Sequence, residues 1–141
     1  WRFDVICVEQ RVAVEVAARF DIQTREVGWH PASAGEATQI VVPTVGPAWF
    51  DPEELREATI ARHGVDGATC PECGVWRWMP LTFGFLPPLR ITHSLGDVAI
   101  AGSPEWFGDG KRAFRQILVR RELADLIAAA SPRDFKVQDV P

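Results

Sequence analysis

Proline and glycine interrupt this chain so often that no apolar run extends beyond a few residues. Eleven residues of each type are spread through the sequence, and Pro80, the Pro87–Pro88 pair and Gly96 divide its second half. Proline cannot donate to a strand ladder, and glycine weakens the interior of a strand, so both residues limit strand length. The sequence therefore predicts short elements and no membrane-spanning segment.

The size and charge of the chain limit the class of protein to which it can belong. With 141 residues, 47% of them hydrophobic and 24% charged, the chain is long enough for one folded, soluble domain with a real core. We expect a single domain over residues 1–141, with a mostly β half at 1–68 and a half at 69–141 that carries a cysteine motif. The formal net charge of −4 disfavours nucleic acid as a partner.

Alternating apolar residues predict strands in the first half of the chain. The alternation covers Trp1–Val8 and Arg11–Ala17, and extended character continues at Ile22–Trp29 and Ala37–Val45. Helix is the alternative at Arg11–Ala17, because Ala and Glu are common there. Three valines at period two favour a strand over a helix in this segment.

Two segments carry helix signals. Asp51–His63 starts with a capping aspartate followed by Pro52, and it ends before Gly64, which can adopt the left-handed conformation. Its apolar stripe is sparse, so we expect a peripheral helix. Arg121–Ala130 repeats apolar residues at helical spacing and ends before a Ser-Pro pair.

Short strands are predicted in the second half of the chain, before and after the helix Arg121–Ala130. They cover Val75–Met79, Leu89–His93, Asp97–Ala101, Phe114–Val119 and Phe135–Val140. The last two of these strands flank the second helix, which predicts a C-terminal strand–helix–strand unit with parallel pairing. The predicted fold class is α+β: a short-stranded mixed sheet with a peripheral helix and this C-terminal unit.

The segment Cys70–Gly74 has the form of a zinc knuckle. Two thiolates separated by two residues can reach one tetrahedral metal ion, and the turn between them directs backbone N–H groups at the sulfur atoms. A structural Zn²⁺ site needs four ligands, and Cys70 and Cys73 supply two. His93, in a predicted strand, is the best candidate for a third ligand. His63, His30, Cys7 and the carboxylates are the other candidates.

Two further interpretations of the cysteine pair stay open. Cys70 and Cys73 can form a turn with two reduced thiols and no metal, or they can carry thiol–disulfide chemistry. The second interpretation is weaker, because such redox pairs gain reactivity from a helix N-terminus and an extended, Trp-rich stretch follows Gly74. Three cysteines are an odd number and favour a reducing compartment, which predicts a cytoplasmic protein.

The aromatic residues suggest a contact surface. The chain has six tryptophans and no tyrosine. Trp106 and Phe107 lie in the predicted loop Ser103–Gly110, and we expect both to contact a partner protein, because large aromatic rings dominate interface hot spots. Trp76 and Trp78 share one face of a predicted strand and are interpreted as core residues of a sheet.

The sequence contains no pattern that indicates catalysis. Its acidic residues show no paired spacing for general acid and base, and it lacks a nucleophile elbow, a phosphate-binding loop and a dinucleotide fingerprint. We therefore expect a protein that is not an enzyme.

The order of motifs in the second half resembles a known family. The cysteine knuckle Cys70–Gly74 is followed by Asp97–Val98, Phe114–Val119, Arg121–Ile127 and Phe135–Val137. This order is similar to that of the double-CXXCG motif family, which is expanded in myxobacteria and related to immunity proteins of contact-dependent toxins. The resemblance covers residues 70–141, and only Cys70 and Cys73 match motif residues, since the second CXXCG is missing.

The resemblance implies a cytoplasmic immunity protein that binds and neutralises a cognate bacterial toxin without chemistry of its own. An acidic surface with exposed aromatic residues suits such binding. The alternative function is a small zinc-ribbon-like accessory module that binds a larger enzyme or nucleic acid. A catalytic thiol or hydrolase domain is the third alternative.

Overall fold

The chain folds into short helices and strands. A computed structural model describes residues 5–27, 37–91, 95–109, 112–135 and 137–140. The strands that these residues form are β1 (Ile6–Glu9), β2 (Thr24–Glu26), β3 (Ala37–Ile40), β4 (Gly67–Thr69), β5 (Trp76–Trp78), β6 (Ile100–Gly102), β7 (Trp106–Phe107) and β8 (Ile117–Val119). The helices are α1 (Gln10–Phe20), α2 (Pro52–His63) and α3 (Arg121–Ala130). The predicted α+β class with short strands is confirmed.

Internal contacts divide the chain into two units, each built from separated segments. Unit 1 contains Thr44–Gly96 and Gly102–Ile117. Unit 2 contains Val5–Pro43, Asp97–Ala101 and Leu118–Pro141. Strands β6 and β8 pair with each other, and the division falls within both strands.

Unit 2 is built on an antiparallel sheet with strand order β1-β3-β2. Ile6 pairs with Ile40 across β1 and β3, and Thr24 pairs with the same Ile40 from β2. Helix α1 contacts β3 and α3, and the fully buried side chains include Val16, Ile40 and Leu123. The apolar faces of the sheet and of the helices therefore share one core.

The strand prediction at Arg11–Ala17 is wrong, because this segment lies in helix α1. A strand would place all three valines on one face. The helix instead buries Val12, Ala13 and Val16 and leaves Val14 60% exposed. Val12, Ala13 and Val16 follow the i, i+1, i+4 spacing of one helical face, so packing of this face outweighs the strand preference of valine.

Unit 1 contains the mixed sheet β4-β5-β7 and helix α2. Strand β5 pairs antiparallel with β4 and parallel with β7. Gly67 in β4 is required by close approach, since a Cβ there would lie 2.2 Å from the Arg77 carbonyl oxygen in β5. The core of the unit is aromatic, with Phe107 stacked on Phe114 at 5.7 Å and Phe50 edge-on to Phe107 at 6.2 Å between ring centres.

Helix α2 confirms the signals that predicted it. The Asp51 carboxylate accepts hydrogen bonds from the backbone N–H groups of Glu53 and Glu54, at 2.9 and 3.1 Å. Gly64 ends the helix with a φ of 78°. The helix buries only Leu55 and Thr59, which agrees with the expected sparse apolar face.

The C-terminal region differs from its prediction in one strand. Helix α3 covers the predicted Arg121–Ala130. No strand forms at residue 135 or at residues 137–140, although Phe135–Val140 was expected to close the unit. Val137 and Val140 are exposed there, so the alternating pattern meets no apolar surface that would favour pairing.

Two other segments also differ from expectation. The described part of Leu89–His93, residues 89–91, forms no strand, while His93 lies outside the described residues. The predicted loop at Ser103–Gly110 contains the two-residue strand β7. That strand exists because β5 offers a neighbouring edge, which the local sequence does not reveal.

Candidate binding groove and thiol turn

The two cysteines of the predicted knuckle lie in the turn that joins β4 to β5. The backbone N–H of Cys70 donates to the Val75 carbonyl, and that of Gly74 donates to the Cys70 carbonyl, both at 2.9 Å. Gly74 has a φ of 70°, a conformation that a side chain would strain. The glycine that follows the second cysteine therefore allows the chain to turn into β5.

The surroundings of Cys70 favour its thiolate. Backbone N–H groups of Cys73 and Glu72 hydrogen-bond to the sulfur and lower the pKa of the Cys70 thiol below its usual value. The Cys73 side chain lowers this pKa further, and the positive charge of Arg77 also lowers it but acts more weakly than burial, which raises it. Arg77 also donates to the Cys73 sulfur, with 3.7 Å between Nη2 and Sγ. A thiolate at this turn is ready to act as a nucleophile or as a metal ligand.

The described residues supply two ligands of the zinc site that the sequence suggests. No group of three or more His, Cys, Asp or Glu side chains gathers at one point in the part of the chain that the structure describes. His63 is hydrogen-bonded to the Pro80 carbonyl at 2.9 Å, and Cys7 is exposed on β1 in unit 2. His93 and His30 lie outside the described residues. Backbone N–H groups near the Cys70 sulfur are a feature that metal-bound thiolates share, and a zinc site at this turn stays a prediction.

A concave groove of unit 1, called the Trp groove below, is lined in part by aromatic residues. Its volume is about 350 Å³. Its lining residues are Pro47, Ala48, Phe50, Pro52, Leu55, Val75, Trp76, Trp78, Pro104, Glu105 and Trp106. The rings of Trp76 and Trp78 meet edge to face, with 5.6 Å between their centres. Because β5 pairs with β7, residues distant in sequence meet at this groove.

Trp76 and Trp78 are not the core residues that the sequence suggested. Trp76 is 40% exposed and Trp78 is half-buried. The alternation of β5 places both on one face, as expected, but part of this face is open to solvent. A strand pattern assigns side chains to faces, and only the tertiary structure decides whether a face is covered.

Trp106 and Phe107, expected to act together at a contact surface, separate in the structure. Phe107 is 0% exposed and belongs to the aromatic core of unit 1, whereas Trp106 is half-buried and lines the Trp groove. Successive residues of a strand point to opposite faces, and both residues lie in β7. Of the two rings, only that of Trp106 has exposed surface with which to contact a partner.

Glu105 is the residue of the groove that the sequence analysis missed. Its Oε1 atom accepts hydrogen bonds from the backbone N–H groups of Trp49 and Phe50, at 2.7 and 3.3 Å. Its Oε2 atom is buried and has no hydrogen-bond partner among the described residues. The only signal in the sequence is an acidic residue between Pro104 and Trp106, and nothing there indicates contact with Trp49.

Comparisons of the chain with protein-family models, with curated proteins and with solved structures gave no match. Among the described residues, no helix combines the length and the apolar character needed to cross a membrane. Proposals about function therefore rest on the chemistry of the groove and of the thiol turn, together with the resemblance that the sequence shows over residues 70–141.

Proposed function

We propose that this protein acts by binding another protein and carries out no chemistry of its own. The observation that supports this proposal is the Trp groove, where Trp76, Trp78 and Trp106 line one open concavity. Interface hot spots are enriched in tryptophan, and a ring that is partly exposed before binding buries further apolar area when a partner covers it. The groove thus has the composition of a protein contact site.

The nature of the partner follows from the resemblance of residues 70–141 to the double-CXXCG motif family. We propose that the partner is a cognate bacterial toxin and that the protein neutralises it in the cytoplasm. The net charge of −4 supports a basic partner, because opposite charges accelerate encounter between proteins.

The test uses the product of the gene immediately upstream as a defined partner, since an immunity gene usually adjoins its toxin gene. Growth rescue on co-expression and the affinity of the purified pair are both measured for the wild type and for Trp76→Ala. We expect rescue by the wild type and a loss of affinity of roughly thirtyfold in the variant, the size of a hot-spot truncation near 2 kcal/mol.

Phe85→Ala is the matched control for this experiment. Phe85 is an exposed aromatic residue of unit 1 that does not line the Trp groove, and its ring carries the guanidinium of Arg62 at 4.4 Å. This variant should keep full affinity and full rescue. Equal affinity of wild type and Trp76→Ala for a partner that does bind would remove the groove from the contact surface and contradict the proposal.

A second candidate function is a zinc-ribbon-like accessory module, favoured by the turn at Cys70–Gly74. Backbone N–H groups directed at the Cys70 sulfur and the left-handed Gly74 are what a zinc knuckle requires. A structural zinc ion contributes on the order of 10 kcal/mol to folding, so chelation would unfold such a module. Metal analysis of the protein after expression with zinc tests this candidate. About one zinc ion per chain, lost in Cys70→Ser, would support it. A chain that contains no zinc and whose stability is the same with and without a chelator would contradict it.

A further inference from the structure

The Glu105 carboxylate is held in place with one oxygen left without a partner. Its side-chain partners are two backbone N–H groups, from Trp49 and Phe50, and both bind Oε1. A buried acceptor without a hydrogen bond lowers stability, and such atoms are rare in folded proteins. Because Oε2 has almost no exposed surface in the free chain, a donor can reach it only after a shift of the surrounding side chains. Such a donor would remove this cost, and a cationic donor would also neutralise the charge.

A second carboxylate shows that burial alone does not explain Glu105. Glu54 Oε2 is also buried without a hydrogen bond in the described part of the chain. The other oxygen of Glu54, however, accepts from Arg90 at 2.6 Å, so that carboxylate already has a cation. Among the described residues, Glu105 has only neutral backbone donors. The charge of Glu105 thus lacks the counter-charge that Glu54 has.

The rings around Glu105 are suited to a cation. The register of β5 and β7 pairs Arg77 with Trp106, and its extension by one residue sets Glu105 beside Trp76. Tryptophan is the best ring for cation–π contacts. The Trp106 ring already carries the Arg115 guanidinium, 5.3 Å from its centre. Trp76 and Trp78 therefore remain as the rings for an incoming cation.

We infer that the Trp groove binds a lysine or arginine side chain of the partner protein, with its charge at Glu105 and its aliphatic stem on Trp76 and Trp78. This inference rests on the proposed protein-binding function and specifies the chemistry of the partner. The groove volume of about 350 Å³ lies in the range of pockets that enclose small ligands, so one long side chain can enter. Desolvation in the groove strengthens both the ion pair and the cation–π contact.

The experiment follows the indole N–H signals of the full chain by ¹⁵N NMR, with each tryptophan assigned by a Trp→Phe variant. The probes are short capped glycine peptides with Lys, Arg, norleucine or Glu at the centre, and tetramethylammonium as a free cation. We expect the Lys and Arg peptides to shift the signals of Trp76 and Trp78, and the norleucine and Glu peptides to leave them unchanged.

Glu105→Gln tests the role of the carboxylate. The amide oxygen of Gln can still accept the two backbone N–H bonds, so the groove keeps its shape while the charge is lost. We expect binding of the Lys and Arg peptides to weaken about tenfold, the loss of one charge-assisted contact. Glu57→Gln is the control with the same charge change, because Glu57 is exposed on α2 and does not line the groove. Trp76→Leu, which keeps an apolar side chain but removes the ring, should also weaken the cationic peptides.

Three results would overturn the inference. Norleucine could shift the indoles as strongly as Lys, which would indicate an apolar occupant. Cationic peptides could leave the indoles unchanged while tetramethylammonium shifts them, which would indicate a small-molecule cation. Glu105→Gln could bind the Lys peptide as tightly as the wild type does. The peptide assays contain no partner protein, so they test the inferred cation separately from the proposed function. If a partner protein requires Trp76 for binding but tolerates Glu105→Gln, the inferred cation is contradicted and the proposed protein-binding function is retained.

Discussion

Unit 1 contains two groups of aromatic rings that differ in how they are covered. In the core, Phe107 contacts both Phe50 and Phe114, and each of the three rings is buried. In the Trp groove, Trp76 is exposed and Trp78 and Trp106 are half-buried. Phe107 and Trp106 are neighbours in one strand, so sequence position does not separate the groups. Aromatic content alone therefore predicts neither a core nor a contact surface, because the tertiary structure decides which rings are covered.

Phe107→Ala should have the largest effect on stability. The ring has no exposed surface and contacts two other rings, so its removal should lower the free energy of unfolding by about 3–5 kcal/mol. Urea unfolding of the variant and the wild type measures this difference. A loss below about 1 kcal/mol, within the range of surface substitutions, would place Phe107 outside the core and remove the contrast with Trp106.

Asp51→Ala should have a smaller effect than Phe107→Ala, because it removes only the N-cap of the helix whose residues Pro52 and Leu55 line the groove. Loss of an N-cap costs roughly 1 kcal/mol. Thermal or urea unfolding checks the size, and Asp51→Asn, which keeps an accepting oxygen, should restore most of the stability. If Asn restored nothing while Ala was destabilising, the charge of Asp51 rather than its hydrogen bonds would hold α2.

The helices show which parts of the fold a sequence can predict. Helix α2 was correctly predicted from local signals, since Asp51, Pro52 and Gly64 act within the helix itself. Helix α1 was predicted as a strand, because it lacks a side-chain cap and its signal is only the burial of one face. That burial depends on a core assembled from β3 and α3, which are distant in sequence. Local chemistry could be predicted, and packing between distant segments could not.

The candidate site shows the same limit. Cys70, Cys73 and Trp106 were identified from spacing and loop composition, and the structure places them in a turn and in a groove. Glu105 was missed because its role depends on Trp49, whose backbone N–H it accepts across 56 residues of sequence. Phe107 was assigned to the surface because the pairing of β7 with β5 could not be foreseen. Sites built by pairing of distant strands leave little trace in local sequence.

Trp76→Ala should affect stability less than Phe107→Ala, because part of the Trp76 ring is open to solvent in the folded chain. The ring is 40% exposed, and its main defined contact is the edge-to-face arrangement with Trp78. Such a ring pair contributes about 0.5–1.5 kcal/mol beyond the apolar area that the ring buries, so we expect the free energy of unfolding to fall by roughly 2 kcal/mol, less than in Phe107→Ala. Urea unfolding beside Phe107→Ala makes the comparison. A loss as large as that of Phe107→Ala would show that Trp76 is a core residue and that its ring is not part of an open contact surface.

The smallest expected effect concerns the thiol turn on the same hairpin as Trp76. Because the pKa of Cys70 is lowered in the folded chain, its thiolate should form at a lower pH than that of an ordinary thiol, near 8.5. The rate of alkylation by iodoacetamide, followed for the Cys70 peptide by mass spectrometry across pH, measures the midpoint. By linkage, the stabilising contribution of this thiolate is present above the ordinary thiol pKa and is lost as pH falls through the lowered value.

Variants of the neighbouring residues rank the causes of this shift. Cys73→Ala removes a thiol that hydrogen-bonds to Cys70, and Arg77→Gln removes a positive charge that acts more weakly. We therefore expect both variants to raise the alkylation midpoint, with the larger change in Cys73→Ala. The backbone N–H groups of Cys73 and Glu72 remain in both variants, so neither midpoint should return fully to that of an unfolded thiol. A wild-type midpoint equal to that of the urea-unfolded chain would show that the turn does not direct its N–H groups at the sulfur, and the knuckle geometry would then be wrong.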